Sequence, residues 1–351
     1  MNLRDWKTSI TRGAQGVLAL TFFLLIVTVG NKSLARDVFS VEDGAKAYSH
    51  LNFQNNPNDF QFAVIGDRTG GHRPGVFSAA IGILNLLQPE FVMSVGDFIE
   101  GYVDGEDDSE SVLRSQWAEM DEKIGQLDMP MFFVQGNHDV NFDPSEKVWF
   151  DRVGASRGYG HFIYKDVLFL MISTEDKPKQ NVDPELRAKY DAIKAGELRD
   201  PKQIQEVIMQ LEHWAGKINI SDAQLEYFTK VLEANPDVRW TIGFMHSPPW
   251  VQDDPGNFAK IESLLANRPY TMFAGHTHTY NYTRRNDRDY ITMGMTGAGV
   301  QPTESVGNMD HVAWVTMTEE GPIISQILLN GVLDKTGADP ALQEFLLYRP
   351  R

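Results

Sequence analysis

Five short phrases in this sequence carry side chains that can hold metal cations: Gly66-Asp67-Arg68, Gly96-Asp97, Gly136-Asn137-His138-Asp139, Met245-His246 and Gly275-His276-Thr277-His278. They supply carboxylates, one carboxamide and imidazoles, the oxygen and nitrogen donors of a pair of divalent ions. Two cations held close together need an anion between them, and an aspartate can bridge with its two oxygens. A neutral Asn carbonyl and neutral imidazoles complete the shells without over-neutralising the charge. Such a pair lowers the pKa of bound water and clamps phosphoryl oxygens, so the chemistry implied is activation of water against phosphate esters. His138 adjoins Asn137 and is followed by Asp139, which can orient it. That suits a general acid on the leaving-group oxygen. Taken singly these phrases say little: Gly-Asp is ordinarily a turn, and a buried His ordinarily a hydrogen-bonded core residue. Their joint occurrence carries the reading. His50, His161, His213 and His311 fall outside the phrases and receive no role.

Each phrase must be positioned, and each directly follows a short apolar run that reads as a strand: 60–65, 91–95, 131–134, 240–245 and 270–274. A helix over 74–87, opening at Pro74, and another with Trp117, Met120, Ile124 and Leu127 on one face separate the first three. The rhythm strand, helix, strand, helix, strand argues a parallel sheet with crossover helices. In open α/β sheets, ligands bind beyond the carboxyl ends of the strands. One fold would therefore gather Asp67, Asp97, Asn137, His246 and His276 along one edge. Runs 162–164 and 167–172, split by Lys165-Asp166, read as a hairpin that begins a second sheet. Runs 290–295, 312–317 and 323–329 are expected to complete that second sheet. Ser221-Asp222 opens a helix to Ala234. The charged stretch 176–220 keeps helical spacing at Ile204, Val207, Ile208, Leu211 and Trp214. It is either an insertion that caps the site or a peripheral excursion. Residues 341–347 read as a terminal helix.

Composition narrows the class. Of 351 residues 42% are hydrophobic and 23% charged, which excludes a disordered chain and a multi-span membrane protein. The formal net charge of −16 repels polyphosphate backbones, so a general nucleic-acid partner is not expected. A small phosphate ester remains compatible. With no cysteine, thiolate ligands and disulfides are excluded. Arg4, Lys7 and Arg12, an uncharged apolar run from Gly16 to Gly30, and Ser33-Leu34-Ala35 form the three parts of a secretory signal. The expected organisation is a signal peptide over 1–35, a polar lead-in over 36–59, a domain over 60–333 and a tail over 334–351. Cleaved or retained as an anchor, the signal puts the rest outside the cytoplasm, periplasmic or secreted. Contact with a membrane is expected only through an uncleaved N-terminal segment.

On these blocks the sequence resembles the calcineurin-like metallophosphoesterase superfamily, marked by Asp-x-His, Gly-Asp, Gly-Asn-His-Asp/Glu, a strand-end His and Gly-His-x-His. The resemblance spans about 60–329. It implies an α/β fold, a four-layer α/β/β/α sandwich of two mixed sheets, and two metal ions (Mn, Fe or Zn). It further implies that Asp97 bridges, that Asp67 and His278 serve one ion, and that Asn137, His246 and His276 serve the other. His138, paired with Asp139, takes the proton-donor role. The first block departs: Thr69 stands where the family has His. Purple acid phosphatases, a branch of the superfamily, also lack that His and use a Tyr three residues after the bridging Asp. Here that position is Glu100. Either Glu100 supplies the ligand, giving an oxygen-rich shell that suits Fe or Mn over Zn, or it is a solvated loop carboxylate. Thr69 and His72 are weaker substitutes. Arg68 either grips a substrate phosphate with its planar fork or is a structural ion-pair partner. Tyr280 walls the pocket or packs in the core, and Trp250 forms a rim. The expected function is hydrolysis of phosphate mono- or diesters. The alternative is a non-catalytic or single-metal binding protein that keeps the fold, with Thr69 as its trace.

Overall fold

In the computed structural model, which describes residues 49–50, 52–101, 109–140, 143–176, 184–215, 218–300 and 307–332, the first strand is apolar on both faces because both are covered. This is β1 (Phe60–Ile65). Phe60, Phe62 and Val64 pack into one core and Ala63 and Ile65 into another, the alternation that a pleated strand imposes. β1 pairs in parallel with β2 (Phe91–Ser94), and β2 with β3 (Met131–Phe132). The crossovers run through α1 (Val76–Leu87) and α2 (Ser109–Ile124). After β3 come the one-turn α3 (Asn137–Val140) and α4 (Asp143–Val153).

The second sheet starts with the expected hairpin, β4 (Gly160–Tyr164) and β5 (Val167–Met171). α5 (Pro184–Lys194) and α6 (Pro201–Ala215) follow, where Leu186 and Val207 form a small core with Tyr190, Ile193 and Leu198. α7 (Asp222–Ala234) is capped by the Ser221 hydroxyl, which accepts from the Gln224 N–H at 3.2 Å. Then β6 (Trp240–Phe244), α8 (Asn257–Leu265), β7 (Tyr270–Ala274), β8 (Asn281–Arg285) and β9 (Arg288–Thr292) give the order β4-β5-β6-β7-β9-β8. The run β5-β6-β7-β9 is parallel.

The last two strands correct an expectation. β10 (His311–Thr318) and β11 (Gly321–Leu328) do not complete the second sheet. β10 pairs antiparallel with β1, so the first sheet is β11-β10-β1-β2-β3. An apolar alternation tells a strand which face to bury, but it does not name the partner. The free edge of β1, a row of unpaired N–H and C=O groups, finds that partner here. β8 was not foreseen, because Asn281-Tyr282-Thr283-Arg284-Arg285 is an edge strand with little apolar signal.

Three cores define four layers. Between the sheets, Phe62 stacks on Phe91 at 5.2 Å, Phe162 stacks on Phe169 at 4.6 Å, and Phe91 meets Phe169 edge-on at 5.4 Å. Each such pair contributes about 0.5–1.5 kcal/mol beyond its buried area. Outside the first sheet lie α1, α2 and α4, with Leu84, Trp117, Met120 and Trp149 buried. Outside the second lie α7 and α8, with Phe228, Leu232, Phe258 and Ile261. The architecture is the α/β/β/α sandwich.

The chain divides into two units, Met1–Gln54 and Asn55–Arg351, and the elements above all belong to the second. The described residues of the first, 49–50 and 52–54, are exposed. The signal segment expected over 1–35 and the helix expected at 341–347 lie outside the described residues. Among those described, no helix is long and apolar enough to cross a membrane.

Candidate metal centre

The parallel strands end where the chemistry begins. β1 runs into Gly66-Asp67, β2 into Val95-Gly96-Asp97, and β3 into the turn that starts α3 at Asn137. β6 delivers His246 and β7 delivers His276. Asp97, His276 and His278 adopt left-handed backbone conformations, with φ of 61°, 71° and 54°. Such conformers cost non-glycine residues about 1–3 kcal/mol each and concentrate at functional sites.

Six of the side chains converge. Asp97, His246 and His276 form one group and Asp67, Asp97 and His278 another, with donor atoms in each group within 4.8 Å of one another. Asp97 belongs to both. His246 Nε2 lies 3.2 Å from Asp97 Oδ2. Asn137 Oδ1 joins the first group, 2.9 Å from both His246 Nε2 and His276 Nδ1. Backbone carbonyls aim the rings: Val95 O takes the Nδ1–H of His246 at 2.8 Å, and Gly299 O that of His278 at 3.1 Å. This fixes which nitrogen faces inward, the usual support of a metal-ligating histidine.

The electrostatics call for positive charge. Burial resists charging of His246, but the carboxylates of Asp97 and Asp67 outweigh it and raise the ring to about 10. Burial and neighbouring His246 depress His276 to about 3. Burial holds the Asp67 carboxyl above its ordinary value, while for Asp97 the imidazoles of His246 and His138 overcome burial and lower it. Asp67 Oδ2 is buried with no hydrogen-bond partner among the described residues. A buried carboxylate oxygen without a partner is costly, and a cation against it removes that cost. Two carboxylates, an amide oxygen and three imidazoles in two groups that share Asp97 fit a pair of metal ions.

The remaining expected residues are placed differently. His138 borders the centre: its N–H donates to Asp97 Oδ1 at 2.9 Å, and its Nδ1 meets the Glu100 carbonyl at 2.8 Å. Asp139, expected to orient that ring, is occupied elsewhere. Its carboxylate accepts the backbone N–H groups of Asp97 at 2.9 Å, Phe98 at 2.9 Å and Gly136 at 2.8 Å. Burial and the charge of Asp97 raise it to about 7. Glu100 joins neither group. Its oxygens accept from Gly71 N at 3.2 Å, and from His72 N and His72 Nδ1 at 2.9 Å each. Burial opposes its ionisation, yet the His72 N–H, the Thr69 hydroxyl and the His72 ring bring it down to about 2. Glu100 therefore clips the 70–72 turn, and His72 is committed to Glu100. Arg68 has turned away from the centre: Nη1 donates to Phe98 O at 3.0 Å, and Nη2 to both Glu119 oxygens, at 3.0 and 2.9 Å. That is the ion-pair role and leaves no fork for a phosphate. Trp250 is buried against Tyr290 at 5.0 Å and forms no rim, and Tyr280 packs edge-on to His311 at 5.6 Å.

Sequence reasoning missed the three carbonyls that aim the rings, of Val95, Gly299 and Glu100, because a backbone oxygen leaves no mark in composition. It also missed Glu175, which is buried and whose charge helps raise His246. The signal was available: Ser173-Thr174-Glu175 closes the β5 run at the same rim.

The family model for calcineurin-like phosphoesterases matches residues 60–280. The chain belongs to the calcineurin-like phosphoesterase family. Among solved structures, a dimetal phosphatase from Danio rerio aligns with this chain at a TM-score of 0.51 and 15% identity, over 77% of this chain and 99% of that one. A purple acid phosphatase from yellow lupin seeds aligns at 0.47 and 13%, over 78% of this chain and 52% of that one. A putative 5'-nucleotidase from Staphylococcus aureus aligns at 0.44 and 14%, over 82% and 57% respectively. No curated protein matches the chain. At these identities the likeness is one of fold.

Proposed function

We propose that this phosphoesterase hydrolyses mono- or diesters of phosphate on a small substrate with two metal ions (Mn, Fe or Zn), and that it works outside the cytoplasm after export by residues 1–35. The observation that carries the reading is Asp97, whose carboxylate is shared by two groups of donors. One ion would be held by Asp97, Asn137, His246 and His276, and the other by Asp67, Asp97 and His278. Bound there, the pair would acidify water and neutralise phosphoryl charge. The protein supplies the rest. Val95 and Gly299 hold the imidazoles at fixed angles, so no ring reorientation is needed during reaction. His138, with Nδ1 held by the Glu100 carbonyl, carries its mobile proton on Nε2 and gives it to the departing alkoxide. Asp139 braces the backbone of Asp97 and Phe98.

Release of nitrophenol from 4-nitrophenyl phosphate and its bis-ester, with Mn, Fe or Zn added and then with chelator, tests the reading. Metal-dependent turnover of one ester is expected; none on either would overturn it. Sequencing the N-terminus of the exported protein tests the signal. The single-metal reading draws support from Thr69, since the second group has three donors where the first has four. Ion content per chain separates them: two for the hydrolase, one for the alternative.

A further inference from the structure

We propose that Glu100 is a positioning residue for the ion held by Asp67, Asp97 and His278: its carboxylate locks the 69–72 turn, and the turn holds His278 in its donor position. The proposal rests on the two-metal reading above and gives a task to a residue outside both donor groups.

The group of Asp67, Asp97 and His278 is the poorer of the two. It has three donors, with Thr69 and no histidine two residues beyond Asp67. An ion with few donors depends on each being held from behind. His278 is held by a chain of hydrogen bonds that starts at Glu100. Gly299 O takes the Nδ1–H of His278 at 3.1 Å, and Gly299 N donates to Gly70 O at 3.1 Å. The next two N–H groups of that turn, of Gly71 and His72, donate to the Glu100 carboxylate at 3.2 and 2.9 Å. The His72 ring adds a contact from Nδ1 to Oε1 at 2.9 Å.

The turn also bears on the imidazole directly. A Cβ on Gly70 would stand 2.6 Å from His278 Cε1 and 3.0 Å from His278 Nε2. Backbone and ring are therefore in close contact, and a shift of the turn moves the ring.

The turn needs a clamp of this kind. Gly70 and Gly71 both have positive φ, 89° and 85°. Two adjacent glycines leave the backbone wide freedom unless a partner removes it. In the conformation observed, successive N–H groups line a concavity for an anion, and the chain fills it with its own carboxylate. Glu100 can serve as the fixed point because its backbone neighbourhood is tight. Gly101 N donates to Gln116 Oε1 at 3.0 Å, and a Cβ on Gly101 would strike His138 O. The Glu100 carbonyl meets His138 Nδ1 at 2.8 Å, so the residue stands behind two imidazoles, one through its carbonyl and one through its carboxylate.

Calorimetric titration of the chelator-treated protein with Mn tests this. The wild type should take up two ions per chain. In Glu100→Ala one of them should bind about 10–100-fold more weakly, the cost typical of losing a group that orients a ligand, while the other keeps its affinity. Glu100→Gln, which keeps one acceptor oxygen, should lose less. The visible spectrum of the Co-saturated variants should match that of the wild type, since the donors themselves are unchanged. Unchanged affinity for both ions in Glu100→Ala would overturn the proposal. So would an equal loss for both, which would mark Glu100 as a support of the fold alone. A shifted Co spectrum would overturn it by placing Glu100 among the donors. Failure of the two-metal reading shows separately, as uptake of fewer than two ions by the wild type, and would take the proposal with it.

Discussion

His138 and Asp139 are neighbours in sequence with separate tasks. Asp139 gathers backbone N–H groups and so shapes the turn that carries Asp97. His138 takes its orientation from the Glu100 carbonyl, a group any residue at position 100 would offer. Replacing His138 with Gln should lower kcat by roughly 10²–10⁴-fold, with ion content per chain unchanged, because its ring belongs to neither donor group. Loss of an ion together with activity would move His138 into the metal shell. The donors were legible in the sequence because Asp, Asn and His each closed an apolar run. The fates of Arg68 and Glu100 were not, since a carboxylate or guanidinium near a site reads the same whether it faces inward or pairs with a neighbour. His311, which had no expected role, should contribute to the loss of stability in acid. It is buried, its Nε2 accepts from Gly294 N at 2.8 Å, and burial lowers its pKa from 6.5 to about 4. The folded state thus holds the ring neutral where the unfolded chain protonates it. Its contribution is complete above pH 6.5 and should fall as pH drops towards 4, by about 3 kcal/mol. Denaturant midpoints measured from pH 7 to 4.5 should show this limb, and His311→Gln should flatten it. Identical limbs in both proteins would count against the assignment.

At the scale of elements, the ends of the strands matter more than their middles. The turns after β2 and β3 touch: a Cβ on Gly136 would strike Asp97 Oδ1. Gly136→Ala should therefore displace the shared carboxylate, cost about 1–3 kcal/mol from overpacking, and lower ion content. Gly82, exposed on α1 with no atom within 4 Å of its would-be Cβ, is the control. Gly82→Ala should be neutral or stabilising by about 0.5–1 kcal/mol. Thermal midpoints and metal analysis of both variants check the contrast, and equal effects would remove the special status of the turn. The same distinction explains which elements could be read in advance. β1, β2, β5, β6 and β7 are buried on both faces, so their apolar runs were plain. β10 was recognised as a strand but assigned to the wrong sheet, because its pairing with β1 depends on a free edge 250 residues away in the chain. β8 stayed invisible because an edge strand facing water needs few apolar residues.

Over the whole molecule, the centre is where the two sheets meet through polar side chains rather than through the phenylalanine core. Asp67, Asp97 and Asn137 leave the first sheet, and His246, His276 and His278 leave the second. An ion in either group therefore bonds to both sheets at once, because Asp97 faces His246 and His276 in one group and Asp67 and Asp97 face His278 in the other. Stripping the ions should weaken the sandwich as a unit and leave buried carboxylates without counter-charge. Ligand linkage gives about 2.7 kcal/mol when free metal is a hundredfold above Kd. For a domain of this size that corresponds to a rise in Tm of about 5 °C. Chelator should remove the shift and added Mn restore it. Asp97→Asn weakens both groups through their common donor and should lose most of the response. Asp67→Asn leaves the other group whole and should keep part of it. A Tm indifferent to chelator and to Mn in the unsubstituted protein would mean that the sheets are not joined through these donors, and Asp97 would then need another reason for its strained backbone.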